Sequence, residues 1–124
     1  MPTAKSPADL VRAAKGDAGT LKPDEVRIAL QRDDSVLIDV REPGEWAKGH
    51  IRGALRIPRG TLEFKIGDAV GDKDVRIVTY CAAGSRAALA ASSLKSLGYA
   101  GAIASEAGYD DLAKHGFAVE HGED

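Results

Sequence analysis

The sequence is nearly without cysteine: Cys81 is the single one in 124 residues. That excludes any intramolecular disulfide and every Cys-x-x-Cys redox or zinc motif, and leaves one thiol that is either a core filler or a reactive group. Long hydrophobic runs are also missing. No stretch approaches the roughly 20 apolar residues of a bilayer-crossing helix, and Met1 to Leu10 lack the basic-then-apolar pattern of a secretion signal. A cytoplasmic, reducing compartment is therefore expected, with no membrane partner. An excess of either charge sign is absent too, since 17 Lys and Arg face 19 Asp and Glu for a net charge of -2. Such a balance supplies no general attraction for nucleic acid, so any anion chemistry must be local. The three histidines, His50, His115 and His121, show no helical or turn pairing, and no metal site is expected.

What is present reads as one compact unit, because a chain of this length buries roughly two-thirds of its unfolded surface without staples. Ser6-Pro7-Ala8-Asp9 opens a helix, with Ser6 as N-cap, Pro7 at the first helical position and Asp9 completing a capping box. Gly16 and Gly19 bracket a break that ends this helix near Lys15. Residues 1–19 are thus expected as a helical appendage, with the main domain at 20–124. Pro23-Asp24-Glu25 starts a second helix. Ser35 to Val40 is a short apolar run of the kind buried on both faces of a parallel sheet. Ala54 to Ile57 is a shorter strand. Thr61 caps a helix with Leu62, Phe64 and Ile66 as its apolar contacts. Arg76 to Tyr80 is the clearest strand; it runs into Cys81 and an alanine-rich helix ending at Leu97 and Gly98. Gly101 to Ser105 and Asp110 to Lys114 close the pattern. The alternation predicts an α/β fold with a central, mainly parallel sheet flanked by helices.

In such sheets ligands settle beyond the carboxyl ends of the strands, where Cys81 falls. A strand that stops at a cysteine and turns into a helix leaves backbone N–H groups facing the turn. Ala82 and Ala83 add no bulk, Gly84 can adopt a positive φ, Ser85 can cap the helix, and Arg86 adds a permanent cation. Together these favour thiolate over thiol. At a loop mouth, the cysteine is expected to contribute little to core packing.

These residues resemble a known family. Leu37 to Pro43, Glu45-Trp46, Gly49-His50-Ile51 with Gly53-Ala54, Ile57-Pro58, and Cys81 through Arg86 are similar, in order, to single-domain rhodanese-like sulfurtransferases. The resemblance runs from about Leu21 to Glu120. It implies a rhodanese-like fold carrying an extra N-terminal helix, with Cys81 as catalytic nucleophile. A donor such as thiosulfate would give Cys81 a sulfane sulfur, and an acceptor such as cyanide or a cellular thiol would remove it. The implied partners are a small anionic sulfur donor, a thiol or cyanide acceptor and, in some settings, a protein acceptor. No metal or organic cofactor is implied. Substrate contacts are assigned to Ala82, Ala83, Gly84, Ser85 and Arg86, with Arg59 either at the crevice mouth or simply on the surface. Asp39 and Arg41 match an Asp-x-Arg element expected to pair and support the strand end. His50 belongs to a Gly-His-Ile turn and is not expected to act as a base.

The loop has one residue fewer before its arginine than the Cys-x-x-x-x-x-Arg loop of cysteine phosphatases, and no second cysteine serves an arsenate reductase. A sulfur carrier or protein-binding module without turnover remains the alternative. Two departures from the family pattern stand out. Glu106-Ala107-Gly108-Tyr109 replaces the usual Gly-Gly pair and aromatic residue, and Glu45 stands where good thiosulfate users can carry a cation.

Overall fold

The computed structural model describes residues 4–122. The outermost residues of the expected 1–19 and 20–124 segments lie outside it. Five parallel strands form the central sheet: β1 (Thr20–Leu21), β2 (Ser35–Asp39), β4 (Leu55–Arg56), β5 (Arg76–Tyr80) and β6 (Ala102–Ser105), in the order β1-β6-β5-β2-β4. A separate antiparallel pair joins β3 (His50–Ile51) to β7 (Val119–Glu120). The helices are α1 (Pro7–Ala18), α2 (Pro23–Ala29), α3 (Pro43–Ala47), α4 (Leu62–Ala69), α5 (Ser85–Ser96) and α6 (Tyr109–Lys114).

The two-residue period of a strand sends alternate side chains to opposite faces. Ile77 and Cys81 accordingly join a core with Ile38, Val40, Leu62, Ile66 and the inner face of α5. Val78 and Tyr80 join a second core with Leu37, Val26 of α2 and Leu112 of α6. Alanine is the strongest helix former and the smallest side chain that still fills space. Ala87, Ala88, Ala90 and Ala91 are fully buried, which lets α5 lie close on the sheet and fixes where its first turn meets the end of β5.

Several local expectations need correction. Helix α1 has the Ser6 capping box but passes through Gly16 to Ala18, with Gly19 as its C-cap at φ +84°. A helical glycine costs about 1 kcal/mol, and the packing of α1 on α5, which buries Ala14 and Ala18, offsets it. Thr61 makes no side-chain cap and lies in a 3-10 turn (Arg59–Thr61) preceding α4. Within α4, Leu62 and Ile66 face inward while Phe64 is 87% exposed, because positions three or four apart share a helix face and positions two apart do not. Strand β1 and helix α3 were not foreseen; a two-residue strand carries no periodicity, and α3 is little more than one turn.

Candidate functional site

The backbone leaves β5 at Tyr80, turns through Cys81, Ala82, Ala83 and Gly84, and enters α5. Gly84 is the N-cap, with φ +101°, and Ser85 is the first helical residue, so the helix starts on a glycine backbone and not on a serine side chain. The backbone N–H of Gly84 donates to Cys81 Sγ at 3.0 Å, and that of Ala87 donates to the same sulfur at 3.3 Å. Both donors belong to the open end of a 12-residue helix, where N–H groups have no helical acceptor and the dipole favours negative charge. Ala82 and Ala83 are exposed on the rim. Cys81 is 1% exposed and part of the α5-side core. That corrects the expectation of little packing: the β5 period carries one residue past the strand and points it inward.

The loop is pinned from behind by residues that gave little signal in the sequence. The N–H of Tyr109, the first residue of α6, donates to the carbonyl oxygen of Cys81 at 2.9 Å. A Cβ on Gly108 would lie 1.7 Å from the Ala82 carbonyl oxygen, and one on Gly84 would lie 3.1 Å from that of Glu106. The Gly108 contact leaves no room for any side chain, so the loop and the segment before α6 fit only backbone to backbone. The Glu106 to Tyr109 stretch, where the sequence departs from its family pattern, therefore keeps the one glycine that this contact requires.

Arg86 projects from the first turn of α5 to Glu45 on α3. Its Nη1 and Nη2 donate to Oε1 and Oε2 at 2.7 and 3.1 Å. Glu45 Oε1 also accepts the Glu42 N–H at 3.0 Å. The Arg86 hydrogen bonds are the main reason that the Glu45 carboxyl is held down to about 2. The cation expected at the cysteine loop thus carries its own counter-ion.

Asp39 and Arg41 form a buried pair, with Arg41 Nη2 donating to Asp39 Oδ2 at 2.8 Å and to the Gly49 carbonyl oxygen at 2.7 Å. Tyr80 Oη donates to Asp39 Oδ2 at 2.6 Å and accepts from the Ile51 N–H at 3.0 Å. Burial, then the Asp39 contact, pushes the Tyr80 phenol far above its ordinary range. The residue before the cysteine is therefore a neutral hydroxyl fastened to the ends of β2 and β3. Arg59 is turned elsewhere: its guanidinium bonds Glu63 at 2.9 and 3.1 Å and Ser93 at 3.0 Å. His50 Nδ1 lies 3.1 Å from the Trp46 carbonyl oxygen, and its ring stacks on Trp46 at 3.6 Å.

A buried sulfur under two helix N–H donors, in a short loop at the carboxyl end of a parallel sheet, has the arrangement of a candidate anion site on an α/β scaffold. Comparison with known proteins gives this class its family. The sequence pattern of the rhodanese-like domain matches residues 22–115, and the chain belongs to that family. The probable adenylyltransferase/sulfurtransferase MoeZ of Mycobacterium tuberculosis is 37% identical over 107 residues, 86% of this chain. The chain spans 27% of MoeZ. A sulfurtransferase of Allochromatium vinosum is 32% identical over 87 residues, 70% of this chain and 79% of its own length. A Rhodopseudomonas palustris protein described as a possible tyrosine phosphatase superimposes with a TM-score of 0.84 at 27% identity, covering 97% of this chain and 99% of that one. Among the described residues, no helix is long and apolar enough to cross a membrane.

Proposed function

We propose that this protein is a sulfurtransferase that carries sulfane sulfur as a persulfide on Cys81. The observation that carries this reading is the pair of N–H donors at 3.0 and 3.3 Å from Sγ. In the first half-reaction the Cys81 thiolate attacks the outer sulfur of a donor such as thiosulfate. An S–S bond forms to Cys81, the donor's own S–S bond breaks, and its electron pair leaves with sulfite. In the second, cyanide or a thiolate attacks the terminal sulfur, and the pair of the cleaved bond returns to Cys81. Hydrogen bonds to a charged sulfur are stronger than those to a neutral one, and the two N–H donors are placed to serve the charged sulfur that begins and ends the cycle. Ala82, Ala83 and Ser85 line its rim, and Gly84 supplies both the turn and a donor. A reducing compartment such as the cytoplasm keeps this thiol free between turnovers.

The Arg86–Glu45 pair bears on the donor. A dianion entering here meets a neutralised arginine, which favours a donor of lower charge over thiosulfate, with thiosulfate serving as an assay substrate. Phosphatase chemistry is disfavoured by the loop itself, which places four residues between Cys81 and Arg86.

The test is thiosulfate-to-cyanide transfer by the wild type and Cys81→Ser, with intact-mass measurement after donor alone. The expected result is one added sulfur on the wild type, none on the variant, and loss of thiocyanate formation. Full activity in folded Cys81→Ser overturns the mechanism. A persulfide that forms and is never passed on to cyanide or any thiol supports a carrier without turnover.

A further inference from the structure

Helix α1 lies outside the residues matched by the family pattern, yet it builds a cavity beside the cysteine loop. Ala14 and Ala18 are buried against the body of the protein, and Asp17 Oδ2 accepts the Ser92 hydroxyl at 2.7 Å. Toward its N-terminus α1 no longer closes on α5, and a cavity of about 660 Å³ opens between Leu10, Val11, Arg12 and Lys15 on one side and Ser85, Arg86 and Leu89 on the other. That volume lies within the range of small-ligand sites. Leu10 is 50% exposed, and Val11 and Leu89 are half-buried, an apolar lining left uncovered where the first turns of α1 pass the start of α5. Ser85 and Arg86, which line this cavity, lie in the chain between Gly84 and Ala87, whose N–H groups hold Sγ.

The charges of the lining select a ligand. Arg12 bonds Asp9 at 3.0 Å, and Arg86 bonds Glu45 at 2.7 Å. Lys15 has no side-chain partner among the described residues, so it is the lining cation free to take an anion. A compact anion such as cyanide has no use for the apolar wall, and a neutral thiol has none for Lys15.

We propose that this cavity binds the body of the sulfur acceptor and selects thiols whose aliphatic stretch ends in a carboxylate. The inference rests on the sulfurtransferase reading of Cys81. The aliphatic part lies along Leu10, Val11 and Leu89, the carboxylate meets Lys15, and the thiol end passes the Ser85 and Arg86 rim. There its thiolate attacks the terminal sulfur of the Cys81 persulfide. A new S–S bond forms on the acceptor, the bond to Cys81 breaks, and its electron pair restores the thiolate.

The experiment compares mercaptooctanoate, mercaptooctanol and mercaptopropionate as acceptors from the persulfidated full chain. Mercaptooctanoate should show a KM about ten-fold below either of the others, the size of one favourable contact of about 1.4 kcal/mol. In Lys15→Glu its KM should rise about ten-fold relative to that of mercaptooctanol. Octanoate, which cannot react, should shift the methyl NMR signals of Leu10, Val11 and Leu89 in Cys81→Ser. Equal KM values for the three thiols, an unchanged ratio in Lys15→Glu, or octanoate shifts elsewhere would overturn the proposal. So would a concentration-dependent dimer dissolved by Leu10→Asp, which would make the cavity an interface between copies. Octanoate binding reads the cavity without any sulfur chemistry, and cyanide transfer by the wild type reads the chemistry without the cavity, so the two ideas fail separately.

Discussion

Arg86 and Glu45 hold each other through two parallel hydrogen bonds, from the first turn of the loop helix to a short helix 41 positions earlier in the chain. Two-point contact between a guanidinium and a carboxylate fixes direction as well as distance. The arginine's direction is thereby fixed and its charge neutralised at the same time. Glu45→Gln should release that charge and lower the KM for thiosulfate roughly three- to ten-fold at low salt, with little change in the rate of persulfide formation at saturation. The gain should shrink as ionic strength rises, because exposed charges are screened. Steady-state kinetics at two salt concentrations measure it, and an unchanged KM would remove Glu45 from the donor's path.

The same carboxyl sets an acid dependence. Its folded value of about 2 lies below the ordinary glutamate value of 4.5. Its contribution to stability is therefore fully present above the unfolded value and is lost as pH falls through the folded one. Denaturant unfolding should find the wild type more stable than Glu45→Gln near pH 6, by about 0.2 to 1 kcal/mol for a partly exposed pair. The two should converge toward pH 2.

Gly84 and Gly108 make different demands on the same loop. At Gly84 the left-handed φ of +101° burdens any side chain, so Gly84→Val should cost on the order of 1 kcal/mol or more and reduce transfer further than stability. At Gly108 the obstacle is the Ala82 carbonyl. Gly108→Ala must push the loop outward, so it should slow persulfide formation while leaving the β5 strand intact. Circular dichroism paired with single-turnover sulfur loading separates the effects. A Gly84→Val enzyme with wild-type loading would show that the loop does not depend on glycine geometry.

Arg41→Ala should be the most damaging of these changes to stability. Asp39 and Arg41 are both buried, with side chains 1% and 5% exposed. Removing one member leaves an uncompensated charge, at a cost of about 3 to 5 kcal/mol. Tyr80→Phe keeps the ion pair and removes only the hydroxyl between Asp39 and Ile51, so it should cost about 1 to 2 kcal/mol. Equilibrium unfolding of both variants gives the comparison, and equal losses would contradict the ranking.

The parallel sheet was legible because each long strand is a short apolar run between turn residues, and Ser35 to Asp39 and Arg76 to Tyr80 need no tertiary information to stand out. The cysteine loop was legible because strand, small residues and helix follow one another without interruption. The contacts that set its shape were not. Gly108 meets Ala82 across 26 positions of sequence, and nothing local to either marks the encounter. Glu45 was legible as a charge, but its pairing with Arg86 requires knowing where α3 lies. Phe64 shows the opposite failure: hydrophobic character suggested burial, and the phase of the helix overruled it.

The tryptophan stacked on His50 has a spectroscopic consequence. Trp46 is the sole indole in the chain and the immediate neighbour of Glu45, its ring lying 3.6 Å from the imidazole and inclined to it by 4°. Contact with the His50 ring at that distance sets the indole's surroundings, so Trp46 emission should report how α3 packs against β3. Glu45→Gln, which weakens the tie from α3 to Arg86, should alter Trp46 emission if that tie seats the helix, and unchanged emission would show that α3 is held without it. The signal comes from one residue, so it can be followed in stopped flow without any added dye.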